Sequence, residues 1–142
     1  MMGHNLTKNC KVTRVKAESA SAGTAVNTDS VDMSGYEGVV FIGCMVTAHA
    51  SNFVNLAQSS DDSTFDDLAG TKVTPGTSGN MFMVDLYKPS DRYVRLEVDR
   101  GGANTVVGEI VAIQYGPTRK APVTHGTTVD SEVHVSPAEG TA

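Results

Sequence analysis

The sequence predicts an all-β domain of the sandwich or barrel class. Three observations carry that expectation: helical periodicity is scarce, period-two runs recur, and turn-forming clusters such as "MSGYEG", "TPGTSGN" and "YKPSDR" separate the runs at sandwich-like spacing. A chain of 142 residues fits one domain with one core. Its composition, 39% hydrophobic and 19% charged, excludes wholesale disorder, and 14 glycines with no tryptophan suit a turn-rich, modestly aromatic fold.

Taken in order, residues 1–10 read as a polar N-terminal arm, residues 11–116 as the sandwich domain and residues 117–142 as an extended tail. The first strand is expected at Lys11–Lys16, with a weaker one near Gly23–Thr28. "GVVFIGCMVTA", residues 38–48, is apolar on both faces: Val39, Phe41 and Met45 oppose Val40, Ile42, Cys44 and Val46. A strand dry on both sides is either sandwiched between layers or offered to a partner. Val40, Phe41 and Ile42 are therefore candidates for core or dimer packing.

Further strands are expected at Asn52–Ser59 and Met81–Tyr87. The clearest is Tyr93–Asp99, where Val94, Leu96 and Val98 alternate with Tyr93, Arg95, Glu97 and Asp99. "RGGAN" then reads as a hairpin loop joining it to an antiparallel partner at about Thr105–Tyr115, itself dry on both faces. The tail "PTRKAPVTHGTTVDSEVHVSPAEGTA" needs a surface to lie on, with a short strand expected at Glu132–Val135.

The net charge of −5 argues against a nucleic-acid binder, and no apolar run is long enough to span a bilayer. "MMGHNLTKNC" lacks the apolar core of a secretory signal, so synthesis in the cytoplasm is expected. Cys10 and Cys44 are expected to be free thiols. Charge is unevenly placed: Lys8, Lys11, Arg14 and Lys16 open the chain, whereas residues 17–71 contain eight acids and no base. Such an asymmetry suits docking onto a protein of complementary field, or equally a solvated terminus.

Catalytic patterns are missing. There is no GxSxG, no Walker loop, and the glycines of "DRGGAN" lack phosphate-cradle spacing. His4, His49, His125 and His134 show no zinc-site spacing, and no cofactor is expected. "SSDDSTFDDLAG", residues 59–70, gathers four aspartates. Its spacing does not fit an EF-hand, so the expectation is a turn whose Ser and Asp side chains cap backbone donors. Arg92, Arg95 and Arg100 among Asp91, Glu97 and Asp99 read as a solvated charged face.

"SSDDSTFDDLAGT" followed by "DRYVRLEV" resembles galactose-binding-like jelly-roll sandwiches, although the Gly of that family's pattern is absent after Asp62. Over residues 31–142, the runs "VDMSGYEGVVFIG", "DRYVRLEVDRGGANTVVGEIVAIQYGPTRKAPVTH" and "HVSPAEGTA" resemble small virion proteins of tailed bacteriophages, in particular the jelly-roll cement, or head-decoration, proteins of HK97-type capsids. That resemblance implies a jelly-roll-like antiparallel β-sandwich without enzymatic activity. It also implies a homodimer on the outer surface of the virion that clamps major capsid subunits. Lys8, Lys11, Arg14, Lys16, Arg119 and Lys120 become the expected capsid contacts. The competing expectations are a carbohydrate-binding sandwich of a tail or fibre, using Asp61, Asp62 and Arg92, and a head-tail connector or other tail structural protein.

Overall fold

A computed structural model describes residues 5–118, 121–136 and 138–141. After a one-turn helix α1 (Leu6–Asn9), the chain runs through β1 (Lys11–Lys16), β2 (Ser19–Ala22), β3 (Val26–Asn27), β4 (Val31–Asp32), β5 (Gly38–Thr47) and β6 (Phe53–Ser59). Strands β7 (Asp66–Asp67), β8 (Met81–Tyr87), β9 (Tyr93–Asp99), β10 (Thr105–Val107) and β11 (Ile110–Tyr115) complete it.

These segments make two antiparallel sheets. In the first, β1 and β2 flank β11 and β10, which pair in turn with one side of β5, while β8 pairs with its other side. In the second, β3 and β4 flank β9, followed by β6 and β7. Counting β1/β2, β3/β4 and β10/β11 as broken single strands gives eight strand positions that alternate between the sheets as a jelly roll does. The expected all-β jelly-roll sandwich is what the chain forms.

Alternation builds the core. Val39, Phe41 and Met45 of β5, Phe82 and Val84 of β8 and Ile110 and Ala112 of β11 face Val54 and Leu56 of β6 and Val94, Leu96 and Val98 of β9. Gly43 sits on the same inner face, opposite Phe82. The Phe82 ring fills the place a side chain there would take, so the missing Cβ is what lets the ring lie flat on the sheet. Val107 and Ile110 both point inward although three residues apart, so the Gly108–Glu109 step is a bulge that resets the alternation between β10 and β11.

The expected hairpin between residues 93–99 and 105–115 is not formed: β9 belongs to the second sheet, and β10 and β11 to the first. The reason lies in the dry faces of residues 105–115, which earn their burial as the inner strand between β1/β2 and β5. "RGGAN" is instead a crossover, with Gly101 and Gly102 at φ of +61° and +75°. Arg100, expected on a solvated face, is 2% exposed there. Its Nη1 donates to the carbonyls of Ala20, Ala22 and Thr105 at 2.9, 2.9 and 3.0 Å. Its own carbonyl accepts from Asn52 Nδ2 at 2.6 Å.

The weak strand near residues 23–28 shrinks to β3, and residues 132–135 hold no strand. Cys10 and Cys44 are free, and burial pushes the Cys10 thiol up. Among the described residues no helix is long and apolar enough to cross a membrane.

Arg100→Met should lower stability by about 3 kcal/mol, because the carbonyls of Ala20, Ala22 and Thr105 lose their charged donor. In a domain of this size that is a fall in Tm of about 10 °C. Thermal unfolding followed by circular dichroism checks it; a change under 2 °C would mean that solvent replaces the guanidinium.

Candidate interaction surface

Three of the four N-terminal bases lie on β1 and the fourth, Lys8, is exposed on α1. Arg14 is turned outward and pairs with Glu109 at 3.0 Å, with both side chains about half exposed. Such a pair contributes little to stability but removes Arg14 from a simple basic strip. Lys11 and Lys16 are half-buried at either end of β1. Arg119 and Lys120, the other expected contacts, lie outside the described residues, as does His4.

The tail finds its surface. Val12 donates its N–H to His125 Nδ1 at 3.0 Å and accepts at its carbonyl the N–H of Gly126 at 2.9 Å, so the tail covers the open edge of β1. Val123 N–H bonds the carbonyl of Lys8 at 3.0 Å. Farther along, Thr128, Val129 and Asp130 close a cavity of about 350 Å³ against Arg14, Glu109 and Val111.

On β5, Phe41 is fully buried in the core, whereas Val40 and Ile42 point to the outer face of the first sheet and are half-buried. They stand beside Val111 and Ile113 of β11 on one side and Met83 and Asp85 of β8 on the other. The outer face is thus apolar across three strands, and it is most open along β8, where Met81, Met83 and Tyr87 are 68%, 67% and 59% exposed. Period-two reading of residues 38–48 pointed to this face through β5. It did not extend to β8, which was expected as a strand without a reading of its faces.

The polar loops are engaged within the protein. Asp61 Oδ1 accepts the N–H of Ser63 at 2.9 Å, the N–H of Thr64 at 3.0 Å and the Ser59 hydroxyl at 2.8 Å. The backbone N–H of Thr64 and then Ser63 holds the carboxyl below its ordinary range. The expected capping turn is what forms, and Ser30 donates its hydroxyl to the neighbouring Asp62. Arg92 grips Asp32 with two bonds, Nε at 2.9 Å and Nη2 at 2.8 Å, which raises the guanidinium pKa further. It borders a cavity of about 460 Å³ with Tyr36, Glu37 and Lys88.

His49 Nδ1 lies 2.7 Å from Ser51 Oγ, a hydroxyl beside a base. The same Nδ1 also takes the Ser51 N–H at 3.2 Å, the geometry of a turn cap. Among the described residues, no three His, Cys, Asp or Glu side chains converge as metal ligands. The arrangement offers surfaces for contact: an apolar sheet face, an open strand edge along β8 and scattered bases.

No family model matches the chain, and no curated protein matches it. Among solved structures it is similar to XepA, described as a PBSX exported protein, with a TM-score of 0.53 and 16% identity. The match covers 95% of this chain and 46% of XepA, so the chain spans about half the length of that protein. A protein of Bacillus endospore appendages, described as disulfide-linked pili, matches at a TM-score of 0.48 and 14% identity over 81% of this chain and 95% of its own. At this identity the likeness to XepA defines a shared β-sandwich fold.

Because the Asp61 carboxyl is held low in the folded protein, its cap is fully formed above the ordinary aspartate range and is lost as pH falls through the lower folded value. Asp61→Ala should therefore flatten the fall in stability below about pH 4. Denaturant midpoints at pH 7, 4 and 2.5 measure this; an unchanged slope would place the acid sensitivity elsewhere.

Proposed function

We propose that this protein is a non-enzymatic structural subunit of a phage-type particle, a capsid cement protein that sits on the outer surface and bridges major capsid subunits. The observation that carries the reading is the outer face of the first sheet, where Met81, Met83, Tyr87 and Val46 remain exposed beside Val40 and Ile42. Contiguous apolar surface on a small domain marks a docking face, and here it comes on a fold whose polar loops are spent on their own backbone. The sandwich shared with XepA, described as a PBSX exported protein, agrees with a phage-type setting.

In this reading the fold does the work by presenting surfaces. Lys8, Lys11 and Lys16 supply positive charge at one edge of a chain whose net charge is −5, and would meet acidic patches on the shell together with Arg14, Arg119 and Lys120. Many symmetry-related copies let individually weak contacts accumulate on a shell. A homodimer would let each unit clamp two neighbours at once.

The purified protein, mixed with heads that lack it, should bind saturably and in hundreds of copies per head. Lys8→Glu, Lys11→Glu and Lys16→Glu together should weaken binding at least tenfold, about 1.4 kcal/mol. These changes leave the strand register of β1 intact, so a loss can be read as lost contact. Heads that never take up the protein would end this reading, and unchanged affinity of the triple variant would remove the bases from it.

A further inference from the structure

The four outermost strand edges of the sandwich are not treated alike. The edge of β1 is covered by the chain's own tail through Gly126 and His125, and its continuation β2, which pairs with β10 alone, is four residues long. The edge at β7 is two exposed aspartates long, and β3 and β4 are two residues each. Short and charged edges of this kind resist pairing with other chains. The remaining edge is β8, seven residues from Met81 to Tyr87, and among the described residues its only strand partner is β5.

The register shows which backbone groups are left over. Lys88 donates its N–H to the carbonyl of Glu37, and Met45 donates to the carbonyl of Asn80. With β8 antiparallel to β5, the even residues Phe82, Val84 and Leu86 therefore exchange bonds with β5. The N–H and C=O groups of Met81, Met83, Asp85 and Tyr87 point to the open edge. The side chains of the same four residues stand on the outer face. Asp85, which accepts the Tyr115 hydroxyl at 2.6 Å, is the one charge inside the strand, so the edge carries a single blunting charge over seven residues.

We infer that β8 is a self-pairing edge: a second copy of this chain joins it antiparallel about a two-fold axis through Val84, and the two first sheets become one continuous sheet. This deepens the homodimer part of the reading above, and rests on it, by naming the surface and its register. In that register Met81 meets the second copy's Tyr87, Met83 meets its Asp85, and all four outward-pointing residues of each copy find backbone partners. Methionine against an aromatic ring is a favourable cross-strand pair.

Charge selects this occupant and direction. Parallel pairing would set Asp85 on Asp85 and Lys88 on Lys88, which is unfavourable. Antiparallel pairing lays the charged exit of β8 beside Asn80 and the uncharged loop of residues 74–80 of the other copy. Area sets the strength. A strand of seven residues is about 24 Å long, and pairing it with its flanking side chains buries roughly 500 Å² per copy, against about 800 Å² for a standard stable interface. The free dimer is accordingly weak, with a Kd on the order of 10–100 μM, and strengthens where copies are held close on a particle.

The test is sedimentation equilibrium of the full chain between 5 and 500 μM, with hydrogen exchange read at low and high concentration. The parent should dimerise in that range, and the amides of Met83, Asp85 and Tyr87 should gain protection with concentration while those of Phe82, Val84 and Leu86 stay protected throughout. Met83→Glu, beside the second copy's Asp85, should weaken the dimer at least tenfold. Met83→Lys should pair as well as the parent or better, because it meets that carboxylate. A monomer at every concentration overturns both the homodimer and the edge. A dimer indifferent to Met83→Glu, or one whose concentration-dependent protection lies outside β8, overturns the edge alone. Equal loss from Glu and Lys overturns the register. Head binding is scored separately, so a failure of shell docking and a failure of edge pairing cannot be mistaken for one another.

Discussion

Arg100 ties the two sheets at one end of the sandwich, and much of the architecture follows from where its guanidinium must go. The residue leaves the end of β9 in the second sheet, and its side chain reaches carbonyls of β2 and β10 in the first. A buried cation needs this many acceptors, because desolvation without them costs several kcal/mol. The carbonyls need it in turn, since β2 and β10 end beside the crossover. Gln114 does the corresponding job at the other end: buried on β11, it donates to the carbonyl of Asp32 at 2.7 Å in β4. Between these two polar ties the core cluster is made of apolar side chains from both sheets, whose contact sets the sheet spacing.

With the ends fixed, the broken strand β10/β11 has to occupy the interior of the first sheet, flanked by β1/β2 and β5. Its inner residues enter the core, and its outer residues Val111 and Ile113 join Val40 and Ile42 in a second apolar layer. The tail covers one side of that layer through Val129 and leaves the side nearer β8 open. The apolar outer surface is therefore a by-product neither of composition nor of loose packing. It is the other side of strands whose inner faces the core demands, and the adhesive reading of the molecule grows from this two-sidedness.

The long strands were legible for two reasons: Tyr93–Asp99 carries a full period-two signal, and Lys11–Lys16 and Met81–Tyr87 are short runs with β-branched or apolar residues bounded by turn-forming clusters. The Asp61 turn was legible for a different reason, since Ser and Asp at these spacings readily cap nearby backbone donors. The pairing of Tyr93–Asp99 with residues 105–115 was not. Adjacent strands joined by a glycine loop look alike in sequence whether the loop turns back within a sheet or crosses to another, and only long-range register decides between them. β2, β4 and β7 escaped notice because two to four small or polar residues carry no period. Arg100 was hidden by company: amid Asp99, Arg95 and Glu97 it reads as surface, and nothing local announces that its acceptors lie some eighty residues earlier, at Ala20 and Ala22. Of the surface, Val40 and Ile42 were visible from the dry faces of β5, whereas the openness of β8 depends on which strand lies at the edge, a property of topology alone.

Edge management shows how one small sandwich can be self-contained and still keep a long strand edge open. A jelly roll does not close on itself as a barrel does, so it retains strand ends with unpaired donors and acceptors. This chain satisfies one long edge by folding its tail over β1, and makes others too short or too acidic to pair. Covering β8 in the same way would have required a second tail, whereas leaving it open costs little in water, where solvent satisfies the outward backbone groups. The cost is paid in specificity, because an open edge accepts any extended strand unless side chains discriminate. In the proposed pairing Met81, Met83, Asp85 and Tyr87 would supply that discrimination, since the backbone groups at the open edge belong to the same residues whose side chains stand on the outer face. In the proposed dimer, backbone pairing and side-chain recognition on β8 would therefore be carried by the same four residues.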